Sequence, residues 1–181
     1  MKKTLCVIAV LLLICGMLSG CYQINTHNQS DYSAFYNKME TVMPATYEMM
    51  PAPDAMESIH DIYLFYSDYD LIDSYYTIYL ECTFTPEQFE IEKQRLTECA
   101  GQYDFSLSDS DQFSYDSVCI NQSITSNDDG FIAYQISYAL FEAENNKIIY
   151  VDAFEEGRSE QLRITNIPDA YLPSDLLSLI E

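Results

Sequence analysis

Residues 118–154, VCINQSITSNDDGFIAYQISYALFEAENNKIIYVDAF, decide the fold. Val118, Ile120, Gln122 and Ile124 alternate with polar neighbours, and Asn127-Asp128-Asp129-Gly130 turns the chain. Ile132, Tyr134, Ile136, Tyr138 and Leu140 then recur at period two before Asn145-Asn146 turns it again into the third strand, Ile148 to Phe154. Period-two alternation broken by Asn, Asp and Gly marks strands joined by tight turns, so this stretch predicts a three-stranded antiparallel meander.

Upstream, Ile62, Leu64 and Tyr66 precede Tyr76, Ile78, Leu80, Cys82 and Phe84, which lie opposite Tyr75, Thr77, Tyr79 and Glu81; residues 67–73 join the two runs as an antiparallel pair. Thr85-Pro86-Glu87-Gln88 has the form of a capping box with proline at the first helical position, and Gly101 supplies a C-terminal stop. A helix over about 86–100 follows, with Phe89, Leu96 and Ala100 as its buried stripe and with Lys93 and Arg95 after its early acids. Tyr32, Phe35, Tyr36, Met39, Val42 and Met43 predict a helix over 31–43 that Pro44 ends. Residues 44–58 read as an irregular crossing, and residues 167–180 as a tail with a last helical turn begun by Ser174. The expected class is α+β, an antiparallel sheet of about five strands with one or two helices packed on one face.

The chain has 181 residues, 29 acids and 8 bases, a formal charge of −21. That length is one domain's worth. An acid excess of this size repels phosphate backbones and excludes nucleic-acid binding through a basic surface. With 48% apolar and 20% charged residues, the composition is that of a folded chain rather than a disordered one.

The first 21 residues contain no acid. Lys2 and Lys3 precede an apolar run over 5–18 broken only by Gly16, which suits a signal-peptide core better than a membrane span of roughly 20 residues. It ends in Leu18-Ser19-Gly20-Cys21, which resembles the lipobox of bacterial lipoproteins. The resemblance covers the targeting segment alone. It implies lipidation of the Cys21 sulfur, removal of residues 1–20, and a chain held on the extracytoplasmic side of the cell membrane by its lipid. Residues 21–30 then read as the lipidated cysteine and a polar tether, and 31–181 as a single acidic domain standing off the bilayer. Lys2 and Lys3 leave with the leader, so the processed chain keeps all 29 acids against six bases, a formal −23.

Processing leaves Cys82, Cys99 and Cys119 in a compartment that permits disulfides. Three pairings exist; a helix folding back over its own strand favours Cys82 with Cys99, while the other reading leaves three buried thiols acting as small hydrophobes. No cysteine or histidine spacing matches a zinc site.

Only His27 and His60 are present, and no nucleophile elbow, metalloprotease helix, phosphate loop or dinucleotide fingerprint occurs. No cofactor is implied. Asp68, Asp70 and Asp73, in one hairpin loop, offer hard oxygen ligands for calcium, although turn propensity explains them as well. All 16 tyrosines fall after the leader. Tyr75 and Tyr79, opposite the inferred core, are the ligand-binding candidates, as rings that can stack on a glycan or insert into an envelope protein; tyrosine also simply favours strands. The expectation is a non-enzymatic binding domain, with a small envelope hydrolase using a carboxylate pair, or a passive structural lipoprotein, as the alternatives.

Overall fold

Central to the molecule is the run Lys147–Gly157, which is a strand with both faces covered. The computed structural model describes residues 21–25, 29–42, 44–69, 73–102, 115–126, 132–157 and 167–173. Among these, six strands form one antiparallel sheet: β1 (Cys21–Asn25), β2 (Ser58–Tyr69), β3 (Asp73–Thr83), β4 (Asp116–Ser126), β5 (Ile132–Glu142) and β6 (Lys147–Gly157), in the order β1-β2-β3-β6-β5-β4. The meander of the last three strands folds back so that β6, not β4, pairs with β3. The helices are α1 (Gln29–Val42), α2 (Pro44–Met49) and α3 (Pro86–Gln102), the last connecting β3 to the far edge strand β4. The class is α+β.

Local chemistry sets most of these boundaries. The Gln88 amide donates to Thr85 Oγ1 at 3.3 Å and the Thr85 amide to Gln88 Oε1 at 3.5 Å, closing the capping box at the start of α3. The helix continues through Gly101 to Gln102, slightly beyond the stop read from the glycine. Between β5 and β6, a single 3-10 turn (Ala143–Asn145) ends on Asn146 at φ 50°, a left-handed conformation that asparagine tolerates better than most side chains. Pro44 does not open an irregular stretch. It starts α2, because proline fits the first turn of a helix, where its missing N–H needs no acceptor. At the end of α2 and beyond it, Met49, Met50 and Met56 are buried, filling the gap between helix and sheet with flexible apolar chains.

Two further expectations are corrected. Parts of the segment read as a polar tether carry regular structure: Cys21–Asn25 pairs with β2 from Cys21↔Ser67 to Asn25↔Tyr63, and Gln29 already belongs to α1. The backbone ladder that β2 offers at its free edge outweighs the segment's polar composition. Nor is the alternation in β4 continuous. The register shifts between Cys119 and Asn121, so Val118 and Ile120 both join the helix-side core, while Ile124 falls opposite Tyr134. A like shift between Ile59 and Asp61 leaves exposed His60 as the extra residue and lets Ile59 and Ile62 serve the same core.

The largest correction concerns the sheet's second face. On the helix side, Ile78, Leu80, Cys82 and Tyr150 pack beneath Tyr32, Phe35 and Met39 of α1 and Phe89 and Leu96 of α3. On the other side, Tyr79, Tyr134, Tyr138, Leu140, Ile149 and Val151 form a separate core with Ile167 and Leu172. The unbroken apolar run at 148–151 is the reason: a strand apolar at consecutive positions must be buried on both faces. Leu140→Ala on this second face is therefore expected to cost about 2–5 kcal/mol, the same as Leu80→Ala beneath the helices. Denaturant unfolding of the two variants checks this; a loss below about 1 kcal/mol for Leu140→Ala alone would mean that the second face is not a core.

Candidate functional site

Tyr79, one of the two rings assigned to an open face, is 1% exposed. Its hydroxyl donates to Glu81 Oε2 at 2.6 Å, and its ring stacks on Tyr171 with centroids 6.1 Å apart. The other Glu81 oxygen receives Lys147 Nζ at 2.9 Å; Lys147 also pairs with Glu142 at 2.5 Å and donates to Tyr171 Oη at 3.4 Å. Burial alone would lower the Lys147 pKa, but its bonds to Glu142 and Glu81 outweigh burial and raise it. Lys147 in turn holds the Glu142 carboxyl below its ordinary value. Tyr138 Oη completes the clasp by donating to the Tyr171 carbonyl at 2.6 Å. Residues 169–171 are thereby pinned to the sheet, and Tyr79 serves that cover rather than offering a stacking platform. Tyr75 sits by register between Ser67 and Glu155.

Beneath the helices lies a buried carboxylate that the sequence reading did not single out. Asp152 is 1% exposed. It accepts from Thr46 Oγ1 of α2 at 2.5 Å, from Ser137 Oγ of β5 at 2.7 Å and from Tyr76 Oη of β3 at 3.4 Å. Gln135 Nε2 donates to the Tyr76 hydroxyl at 3.3 Å. Burial pushes Asp152 up to about 6, outweighing the three donors that favour its ionised form. Chemically this is a proton-holding joint between α2 and the sheet.

A second joint is fully ionic. Glu92, 7% exposed on α3, takes Arg95 Nε at 2.8 Å and Arg95 Nη2 at 2.6 Å in a two-pronged pair and accepts from Tyr150 Oη at 2.7 Å. The same guanidinium donates to the Glu48 and Met49 carbonyls at 2.5 and 2.7 Å, satisfying acceptors at the end of α2. Glu92 lies three residues after Phe89 and four before Leu96, so it occupies the buried stripe of α3, and Asp152 stands within the apolar run of β6. A charge inside an apolar pattern was the available signal for both.

Cys82, Cys99 and Cys119 are thiols rather than half-cystines, so the Cys82–Cys99 bridge is not formed. Cys82 is fully buried and directs its Sγ to the Ile148 carbonyl at 3.8 Å; burial raises its thiol pKa and leaves it a poor nucleophile. Asp68 and Asp73 lie at the ends of β2 and β3, where Tyr69 pairs with Asp73 and Asp68 with Ser74; Asp70 lies outside the described residues. Among the described residues no group of three His, Cys, Asp or Glu side chains is placed to hold a metal ion. Residues 1–20 and 174–181, with the leader and the predicted last helical turn, also lie outside them.

Asp152 gives the domain a specific pH dependence. Its folded pKa of about 6 lies above the ordinary 3.8, so between these values the folded state holds a proton that the unfolded state lacks. Its contribution therefore improves as pH falls from 7 to 4, by roughly 2–3 kcal/mol. In urea unfolding at pH 7 and pH 4, wild type is expected to gain that much relative to Asp152→Asn. A difference that stays flat, or that shrinks on acidification, would contradict the assignment.

No protein-family model, no curated protein and no solved structure matches this chain, so its role rests on its own residues.

Proposed function

We propose that the chain is a lipid-anchored extracytoplasmic lipoprotein whose domain binds a partner at the cell envelope rather than catalysing a reaction. The observation that carries the anchor is Leu18-Ser19-Gly20-Cys21 at the end of an acid-free leader with Lys2 and Lys3 at its start. Among the described residues no helix is long and apolar enough to cross a membrane. For the domain, the support is the state of its polar groups. The buried carboxylates Glu92 and Asp152 are engaged by neighbouring elements of the same chain, and both act as joints in the fold. A net charge of −23 on the processed chain favours a partner with a basic surface.

Cys21→Ser separates the anchor from any other means of membrane association. Wild type is expected in the detergent-rich phase on phase separation, with a mass that lacks residues 1–20 and carries an added diacylglyceryl group. Cys21→Ser is expected in the aqueous phase or with its leader uncut. Detergent partitioning and a processed mass that both survive the substitution would sink the lipoprotein reading.

A further inference from the structure

We infer that α2 is a proton-operated latch, closed against the sheet by the protonated Asp152 and released more often once that carboxyl ionises. The geometry is that of a carboxyl group buried without a counter-ion. Asp152 is 1% exposed, and its three partners are hydroxyls from three elements: Thr46 of α2 on Oδ2, with Ser137 of β5 and Tyr76 of β3 sharing Oδ1. Gln135 of β5 reaches the same cluster through the Tyr76 hydroxyl. Of these groups only the Tyr76 phenol titrates, and burial holds it neutral. Glu48 of α2 is exposed, while Glu92 and Arg95 of α3 are bonded to each other, with Glu92 also taking Tyr150, the next inward residue of β6 on this face. Among the described residues no base and no second carboxylate acts on Asp152. Its ionised form loses water that neutral hydroxyls replace only in part, whereas the neutral acid can donate its own proton to a hydroxyl oxygen.

Of the elements that meet at Asp152, α2 is the one able to yield. β3, β5 and β6 are interior strands, each held by a ladder on both sides. The six residues of α2 are too few to keep a helix without tertiary support, so lifting Thr46 from Asp152 unwinds it. Its far end stays tied at any pH, because the Arg95 guanidinium does not titrate and donates to the Glu48 and Met49 carbonyls. Opening therefore starts at Thr46 and admits water to Asp152, Ser137 and Tyr76. A carboxyl uncovered in this way titrates at its ordinary 3.8, against about 6 when covered. The latch is thus fully engaged below 3.8 and weakens as pH rises through about 6. Neutral pH bares the carboxylate with its neighbouring alcohol and phenol, and acid withdraws them.

The test is amide hydrogen exchange on the full chain at pH 5 and pH 7, with each rate divided by its unstructured value. The Met50 amide, which donates to the Thr46 carbonyl at 3.0 Å, reports on α2, and the amides of Val151 and Ala153 in β6 report on global unfolding. Met50 is expected to be less protected than β6 at pH 7 and to gain roughly tenfold in protection at pH 5. Asp152→Asn, which cannot ionise, is expected to remove that gain. Thr46→Val keeps the carboxyl and removes the hydroxyl from α2; it is expected to lower Met50 protection at pH 5 while β6 stays the more protected. Equal protection of Met50 and β6 at both pH values makes α2 part of the global unit and overturns the latch. So does a Met50 gain that persists in Asp152→Asn, or Met50 protection that Thr46→Val leaves unchanged.

Discussion

Residues 148–153 of β6 are buried on both faces of the sheet, and the rest of the architecture follows from that constraint. A strand of this kind needs a neighbour on each side and a cover above and below. The neighbours are β3 and β5, which is why the meander folds back and leaves β4 at the edge. The covers are unlike. Above lie α1, α2 and α3; below, among the described residues, lie Ile167, Leu172 and the aromatic rings of Tyr115 and Tyr171. Each cover is fixed by polar groups brought out of water: Glu92 with Arg95 and Tyr150, and Asp152 with Thr46, on one side; Lys147 with Glu81, Glu142 and Tyr171 on the other. Apolar contact gives each cover its adhesion, while these directional bonds select a single seating. Removing one member of such a joint leaves its partner buried and unsatisfied, which costs more than the bond contributed.

Much of this was legible in the sequence because period-two alternation and turn residues act locally. The strands of the meander, the β2–β3 pair and the capped start of α3 all follow from residues within a few positions of one another. What escaped depends on distant parts. The alternation of Tyr75, Thr77, Tyr79 and Glu81 looks like a solvent face, and only the return of residues 167–173 converts Tyr79 into core. Both bulges change the face on which later residues fall, and nothing in the local composition at His60 or Ile120 announces them. The five residues of β1 are too few and too polar to read as a strand; their pairing depends on the edge that β2 provides. The buried ions were within reach. Asp152 interrupts Ile148-Ile149-Tyr150-Val151, and Glu92 stands between Phe89 and Leu96 on one helical stripe; a charge in either place needs a partner inside the fold.

Charge economy then determines what the outer surface can offer. Six bases follow residue 20, and of these Lys93, Arg95 and Lys147 are already paired with Asp116, Glu92, Glu81 and Glu142. Much of the small positive complement thus works inside the molecule, and the surface left to solvent is more one-sided than the net charge alone implies. Repulsion between such surfaces opposes self-association and steers basic partners inward over a Debye length of about 8 Å. Apolar attraction has little scope to compensate: among the large hydrophobic side chains described, Ile91 alone is exposed, at 62%, on the outer side of α3. The long-range field of this surface is therefore set by its acidic groups, and its reach shortens as salt is added.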